Sequence, residues 1–137
     1  MPSLLGVLET VLYVEAFERA CPFYENVLGL KTVYQDARLR AYDVGSRGLL
    51  LLFLRGSSLE TVHMPGGTIP PHDGSGPVHI AFSIAASELA AWEKKLGEEG
   101  VAIEGRTTWP RGGKSLYFRD PDGHLLELAT PGLWPGY

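Results

Sequence analysis

The sequence predicts an α+β fold in which two similar βαβββ modules follow one another along a chain of 137 residues. Three observations support this prediction. A strand pattern of alternating apolar residues occurs twice, an amphipathic helix pattern follows each of these strands, and three further strand patterns follow each helix. Internal repetition of this kind determines the architecture more firmly than any single motif. We therefore expect two sheets, each covered by a helix on one face.

The first module is expected over approximately residues 5–56. Its first strand is predicted at 7–14, where apolar residues recur at every second position. Gly29 ends the following helix, whose apolar stripe has spacings of three and four and consists of Phe17, Ala20, Cys21, Tyr24, Val27 and Leu28. Three strands are predicted next, at Lys31–Gln35, Arg38–Val44 and Gly48–Arg55.

The second module repeats the pattern over approximately residues 77–130. A strand at Pro77–Ile84 precedes a helix that ends at Gly100 and has a stripe of Leu89, Trp92 and Leu96. The three following strands are predicted at Val101–Gly105, Ser115–Arg119 and His124–Ala129. Residues 57–76 lie between the modules and are rich in Gly and Pro, which is typical of a linker or a functional lid.

Composition and charge exclude several classes of function. Hydrophobic residues make up 45% of the chain, charged residues 20%, and the formal net charge is -4, which is typical of a globular domain. No cluster of Lys and Arg is present, so neither a nucleic-acid partner nor an electrostatic membrane anchor is expected. The first apolar run is interrupted by Glu9 and has no basic start, unlike a signal peptide or a membrane span. Cys21 is the single cysteine, which excludes an internal disulfide and favours a cytoplasmic location.

Three side chains are candidate metal ligands because of the strand faces on which they lie. Glu9 belongs to the first strand, His79 to the matching strand of the second module, and Glu127 to the last strand. Since side chains alternate between the faces of a strand, all three lie opposite the residues that pack against the helices. If the modules pair, these three side chains can converge in one concave surface. A carboxylate in an apolar strand is costly unless it is paired or coordinated, and this set suits a divalent metal ion with positions left for substrate.

Four segments resemble the vicinal-oxygen-chelate superfamily, which includes glyoxalases, ring-cleaving dioxygenases and bleomycin-resistance proteins. The segments are 9–14, 23–30, 76–82 and 117–128, the last containing Asp-Pro-Asp-Gly. The resemblance implies a glyoxalase-like, cup-shaped mixed sheet, a homodimer, and one divalent ion of Mn, Fe, Co, Ni or Zn. It places the metal ligands at Glu9, His79 and Glu127, although the first position is commonly histidine or glutamine in the superfamily.

The segment 113–124 is most similar to fosfomycin-resistance transferases. This similarity gives Tyr117 the role of a substrate-contacting tyrosine. Glu127 or Glu9 is a candidate general base as well as a ligand, on condition that it dissociates from the metal when substrate binds. Thr107 and Gly136 stand where those transferases have cations, so fosfomycin is not the expected substrate. Glyoxalases have a fourth, carboxylate ligand in the first module, and we assign that position to Leu52.

These observations favour an enzyme that uses a divalent metal to act on a small oxygenated substrate. The chemistry implied by the resemblance is that of a lyase, an isomerase, a thiol transferase or a ring-cleaving dioxygenase. The alternative is a non-catalytic protein that binds a small molecule or a drug, as bleomycin-resistance proteins do. Two smaller questions stay open: Glu127 has possible partners in Arg38, Arg40 and Arg119, and Trp109 is either a pocket wall or an interface residue. His63 and His72 are candidates only for lid contacts.

Overall fold

The computed structural model describes residues 1–45 and 48–137. Within these residues the chain forms two compact units, unit 1 (Met1–Ser75) and unit 2 (Gly76–Tyr137). The elements of unit 1 are β1 (Glu9–Val14), α1 (Phe17–Pro22), β2 (Lys31–Gln35), β3 (Leu39–Val44), β4 (Gly48–Leu54), β5 (Val62–Met64) and β6 (Gly67–Ile69). Those of unit 2 are β7 (His79–Ser83), α2 (Leu89–Glu98), β8 (Gly105–Thr108), β9 (Lys114–Arg119) and β10 (Leu125–Ala129). None of the helices in the described part of the chain is long and apolar enough to cross a membrane.

The two units contain four-stranded sheets of the same topology. The strand order is β1-β4-β3-β2 in unit 1 and β7-β10-β9-β8 in unit 2. In each sheet the first and last strands of the module pair in parallel, and the other neighbours are antiparallel. The α+β class and the repeated βαβββ order are therefore confirmed.

One face of each sheet is buried in a hydrophobic core. In unit 1 this face carries Leu12 and Val14 of β1 and Leu50 and Leu52 of β4, all at most 3% exposed. In unit 2 the equivalent face carries Leu116, Phe118, Leu126 and Leu128, and Leu96 of α2 is fully buried as well. Because strand side chains alternate, burial of this face leaves the other face of each sheet available for a functional site.

The first helix changes its hydrogen-bond pattern at Pro22, which the sequence analysis missed. The α-helix covers Phe17–Pro22, and a π-helical turn follows at Phe23–Val27, where the N–H of Leu28 donates to the carbonyl of Phe23. Proline has no N–H to donate, and its ring crowds the preceding turn, so the regular ladder is interrupted there. The predicted end is confirmed, since Gly29 follows with a φ of +71°.

The predicted strand at Val101–Gly105 is wrong, because β8 begins only at Gly105. The N–H of Val101 donates to Leu96 at the end of α2, and regular pairing with β9 starts at Gly105 opposite Tyr117. Val101 and Ile103 are half-buried and Ala102 is exposed, which reproduces a strand-like alternation in an irregular connection.

The segment 57–75 is folded onto unit 1 and contains a hairpin. Met64 pairs with Gly67, so Pro65 and Gly66 form a two-residue turn between β5 and β6. The N–H of His72 donates to the carbonyl of Ser58 at 2.9 Å, and the N–H of Gly56 donates to Asp73 at 2.9 Å. These hydrogen bonds hold the segment on the same unit as β1 and β4.

Candidate metal centre

His79 and Glu127 lie on the open face of the unit 2 sheet. The register pairs His79 with Leu125 and Glu127 with Ala81, so the two side chains are diagonal neighbours on adjacent parallel strands. Nε2 of His79 lies 3.1 Å from Oε1 of Glu127. The Glu127 side chain is 6% exposed and that of His79 is 45% exposed, so the pair has a buried carboxylate and an accessible imidazole.

The hydrogen bond made by Nδ1 of His79 determines whether Nε2 of the same ring donates or accepts. Nδ1 lies 2.8 Å from the carbonyl oxygen of Leu125. Because a carbonyl oxygen can only accept, Nδ1 carries a proton and donates it there. In the neutral imidazole Nε2 is therefore an acceptor, and it faces another acceptor, Oε1 of Glu127. Two acceptors at this distance require a positive charge on or between them, supplied by a proton or a metal ion.

The second oxygen of Glu127 is held by a chain of hydrogen bonds within unit 2. The hydroxyl of Ser115 donates to Oε2 of Glu127 at 2.5 Å, and the indole N–H of Trp109 donates to the Ser115 hydroxyl at 2.8 Å. Ser115 is 1% exposed. These two hydrogen bonds therefore fix the plane of the Glu127 carboxylate and leave Oε1 directed at His79.

This arrangement fits two ligands of a divalent metal ion. Two donor atoms bound at right angles to one ion, with bonds of about 2.1 Å, stand about 3.0 Å apart. The observed separation of 3.1 Å matches that spacing. Metal-binding histidines usually donate their other N–H to a carbonyl or carboxylate, and metal-binding carboxylates are usually hydrogen-bonded in turn. Both features are present on this pair.

The third predicted ligand, Glu9, belongs to unit 1. Glu9 is the first residue of β1 and is exposed. Among residues 1–45 and 48–137, no group of three or more His, Cys, Asp and Glu side chains is assembled closely enough to hold a metal ion. His79 and Glu127 are thus adjacent in unit 2, and metal binding by these two residues and by Glu9 stays a prediction.

Glu9 lies at a cavity of about 520 Å³ on the open face of the unit 1 sheet. The apolar lining comes from three strands and the hairpin, and Arg38 and His72 add polar groups; the apolar residues are Val11, Leu39, Leu51, Phe53 and Ile69. The Tyr13 hydroxyl, also in the lining, lies 2.6 Å from Nδ1 of His72. Burial, together with the negative charge of Asp73, raises the pKa of the Tyr13 phenol.

The register corrects the residue that corresponds to Glu127 in unit 1. Glu9 pairs with Leu49 just as His79 pairs with Leu125, so the equivalent of Glu127 is Leu51 and not Leu52. Leu51 lines the cavity, whereas Leu52 is fully buried on the opposite face. A shift of one residue moves a strand side chain to the other face, which explains the error. The position at which glyoxalases have their fourth, carboxylate ligand therefore holds a leucine with either assignment.

Tyr117 lies directly opposite Glu127 in the pairing of β9 with β10. Its ring centroid is 6.2 Å from that of His79, and its hydroxyl has no partner among the residues that the structure describes. Tyr117 is therefore beside the candidate metal centre, and its hydroxyl is available to a small molecule; contact with a substrate stays a prediction.

The arginines considered as partners of Glu127 have other partners. Arg119 donates to Glu104 at 2.8 Å and to the carbonyl of Gly123, Arg38 donates to Ser58, and Arg40 donates to backbone carbonyls of Asp36 and Leu39. The remaining histidine of unit 2, His124, is 1% exposed and its Nδ1 lies 2.7 Å from Asp120. It is therefore held within the Asp-Pro-Asp-Gly turn.

Sequence reasoning missed the role of Ser115 and considered Trp109 only as a pocket wall or an interface residue. The role of Ser115 could have been found from its position, because Ser115 and Glu127 lie on the same sheet face when β9 and β10 pair in antiparallel register. That signal required the register, which depends on where the turn between the strands lies.

The family model for the Glyoxalase/Bleomycin resistance protein/Dioxygenase superfamily matches residues 6–128 of this chain. The chain belongs to that superfamily. Metallothiol transferase FosB of Bacillus licheniformis is 32% identical over 93% of this chain and 77% of its own length. Metallothiol transferase FosB of Shouchella clausii is 56% identical over 91% of this chain and 80% of its own length.

Solved structures of superfamily members share the fold. The crystal structure of lactoylglutathione lyase from Agrobacterium tumefaciens has a TM-score of 0.85 and 30% identity, covering 96% of this chain and 98% of that one. The fosfomycin resistance protein FosX of Mesorhizobium loti has a TM-score of 0.65 and 24% identity over 93% of each chain, which is a likeness of fold alone. The names of the more similar relatives are those of enzymes, and this chain is an enzyme of the superfamily.

Proposed function

We propose that this protein is a divalent-metal-dependent transferase that joins a thiol to a small oxygenated substrate. The observation that carries the metal part is the approach of Nε2 of His79 to Oε1 of Glu127 at 3.1 Å, with the other polar atom of each side chain already hydrogen-bonded. The thiol part is supported by the relatives named metallothiol transferase, at 32% and 56% identity.

The proposed ligands are His79 and Glu127 of unit 2 and Glu9 of unit 1. We infer that Glu9 is supplied by the same chain or by a second copy in a homodimer, since superfamily members use both arrangements. An imidazole and two carboxylates suit Mn, Fe, Co, Ni or Zn, and the ligand set does not select one of these ions.

A bound divalent ion supplies Lewis acidity to the substrate oxygens. The chain's own groups orient the substrate and move the proton. The Tyr117 hydroxyl donates a hydrogen bond to a substrate oxygen, and Oε1 of Glu127, when it is not held as a ligand, accepts the thiol proton. The thiolate sulfur then bonds to a carbon of an epoxide while the C–O bond of the ring breaks, and the opened oxygen takes up the proton from Glu127. Ser115 keeps Oε2 of Glu127 in place throughout, which makes Oε1 the exchangeable oxygen.

Thr107 supports a substrate other than a phosphonate. Thr107 pairs with Ser115 across β8 and β9, on the face that carries Glu127. A neutral hydroxyl at that position cannot neutralise a dianion, whereas the similar transferases have a cation there. We therefore expect fosfomycin to be a poorer substrate than an epoxide of similar size that carries no phosphonate group.

The experiment is a thiol-consumption assay on the Mn²⁺-loaded protein with L-cysteine and a panel of small epoxides that includes fosfomycin. We expect consumption by the wild type and its loss in His79→Ala and in Glu127→Gln. The matched controls are His63→Ala, which removes an exposed histidine of β5, and Glu104→Gln, which removes an exposed carboxylate paired with Arg119. Equal rates in all five proteins, or no consumption by the wild type, would contradict the proposal.

A non-catalytic binding protein is the second candidate function. The observation in its favour is the cavity of unit 1, which has a largely apolar lining and the aromatic side chains Tyr13 and Phe53. This function predicts stoichiometric uptake of a small molecule without turnover, and uptake that is unchanged in Glu127→Gln.

A further inference from the structure

The cavity of unit 1 has an apolar floor and two hydrogen-bond donors at its wall. Val11, Leu51 and Phe53 contribute to the floor, and Arg38 and His72 are the donors. Its volume of about 520 Å³ lies within the range of small-molecule sites in proteins. A ligand that fits this lining has an apolar body and an oxygen that accepts hydrogen bonds.

His72 is fixed by contacts on three sides. Its ring is edge-on to Phe53 with a centroid distance of 4.8 Å, it is tilted against Tyr13 at 5.7 Å, and its backbone N–H is bonded to Ser58. Two residues later the chain crosses the Tyr13 ring so closely that a Cβ on Gly74 would lie 2.6 Å from a ring carbon. His72 is therefore part of a packed wall and not of a free loop.

The contact between Tyr13 and His72 determines where the imidazole proton lies. The Tyr13 hydroxyl lies 2.6 Å from Nδ1 of His72, and no second partner of this hydroxyl is found among the described residues. With Nδ1 as the donor the phenol proton would have no acceptor there, so we assign the phenol as the donor and Nδ1 as the acceptor. A neutral imidazole that accepts at Nδ1 carries its proton on Nε2, and no acceptor for that proton is found among the described residues.

We propose that His72, fixed by Tyr13 in the tautomer protonated on Nε2, donates a hydrogen bond to a carboxylate or similar oxyanion of a ligand whose apolar body fills this cavity. Arg38, which lines the same cavity, supplies the positive charge for the oxyanion. Since Glu9 lies at this cavity too, the inference deepens the proposed function by giving the substrate a class, an apolar oxyanion. It does not depend on a metal, because neither donor is a proposed ligand.

The first test is ¹⁵N NMR of the histidine side chains in the full chain after EDTA treatment, with His72→Gln used to assign the signals. We expect the Nε2-protonated tautomer for His72 in the wild type and a mixture of tautomers in Tyr13→Phe. A signal showing the proton on Nδ1 in the wild type would overturn the proposal.

The second test measures binding of 4-fluorobenzoate by ¹⁹F NMR to the same metal-free protein. We expect His72→Phe, which keeps a ring and loses the donor, to bind about tenfold to a hundredfold more weakly. His72→Gln places an amide donor near the former Nε2 and should restore most of the affinity. The control ligand is 4-fluorotoluene, which lacks the oxygens and should bind all three proteins equally.

Equal affinity of the wild type and His72→Phe for 4-fluorobenzoate would overturn the proposal, as would no binding by the wild type. Failure of the proposed transferase activity gives a different pattern, because thiol consumption would be absent while the metal-free protein still discriminates between the two fluorinated probes. The NMR test on the wild type covers the case in which His72→Phe does not fold.

Discussion

At the scale of single residues, the candidate site was predictable where a titratable side chain interrupts an apolar strand. His79 and Glu127 were found in this way and are adjacent in the structure. Ser115 was not found, because a serine in a strand carries no charge that is costly to bury. Its role is visible only from its hydrogen bond to Glu127. The partner depends on the register of β9 and β10, which no single-strand pattern determines.

Ser115→Ala tests the hydrogen bond that orients Glu127. Loss of the hydroxyl frees Oε2, so we expect Mn²⁺ affinity to fall about tenfold to a hundredfold while the fold is retained. Isothermal titration calorimetry measures the affinity, and Ser87→Ala, at an exposed position before α2, is the matched control. Unchanged affinity in Ser115→Ala would show that the carboxylate is oriented by other contacts.

Gly74→Ala tests the close approach of the segment 57–75 to β1. The new Cβ would lie 2.6 Å from the Tyr13 ring, so either the ring or the backbone must move. We expect a loss of about 1–3 kcal/mol in the free energy of unfolding. Gly97→Ala is the control, since a Cβ there meets nothing within 4 Å and replaces glycine inside α2. It should raise the stability by about 0.5–1 kcal/mol. Urea unfolding measures both variants. A change in the free energy of unfolding with the same sign in Gly74→Ala and Gly97→Ala would refute the packing account.

At the scale of elements, periodicity located most strands and both helices to within two residues. The errors have physical causes. Pro22 changes the hydrogen-bond pattern without changing the apolar stripe, so the α-to-π transition is invisible to periodicity. The edge strand β8 has polar, β-branched Thr107 and Thr108 and alternates weakly, whereas the irregular connection before it alternates well. The hairpin β5–β6 was hidden because its two strands have only three residues each.

The contact between the helix and β3 predicts a loss of stability at alkaline pH. Tyr42 is fully buried and its hydroxyl donates to Glu25 at 3.1 Å. Burial, with added effects of Cys21 and Glu25, raises the pKa of Tyr42 far above its ordinary value of 10.0. The unfolded chain releases the Tyr42 proton at a lower pH than the folded chain does. The contribution of protonated Tyr42 to the free energy of unfolding is therefore complete below pH 10 and is lost as the pH rises above it.

Urea unfolding between pH 8 and pH 11.5 measures this effect on the wild type and Tyr42→Phe. Above about pH 10 the free energy of unfolding should fall more steeply in the wild type than in the variant. Burial also raises the pKa of the Cys21 thiol, so part of the slope should persist in Tyr42→Phe. Parallel curves above pH 10 would exclude a role for Tyr42.

At the scale of the whole molecule, the repeat predicted two sheets of one topology, and the structure has them. The repeat did not predict how the open faces differ. Positions that carry Ser115, Tyr117 and Glu127 in unit 2 carry Leu39, Ala41 and Leu51 in unit 1. One sheet therefore presents the candidate metal ligands His79 and Glu127, and the other presents an apolar cavity.

The homodimer stays a prediction at this scale. Leu4, Leu5 and Val7 precede β1 and are 96%, 102% and 78% exposed, which is unfavourable for apolar side chains in water. A second copy would cover such a segment. Removal of residues 1–6 should then shift the mass measured by sedimentation equilibrium toward that of one chain.

The central claim is that His79 and Glu127 bind one divalent ion. The most direct measurement is the binding of Mn²⁺ to the EDTA-treated wild type, followed by calorimetry, beside Glu127→Gln and the control Glu104→Gln. The claim predicts about one ion per chain in the wild type and in Glu104→Gln, and affinity at least tenfold weaker in Glu127→Gln. Equal affinity in all three proteins, or no binding by the wild type, would contradict it.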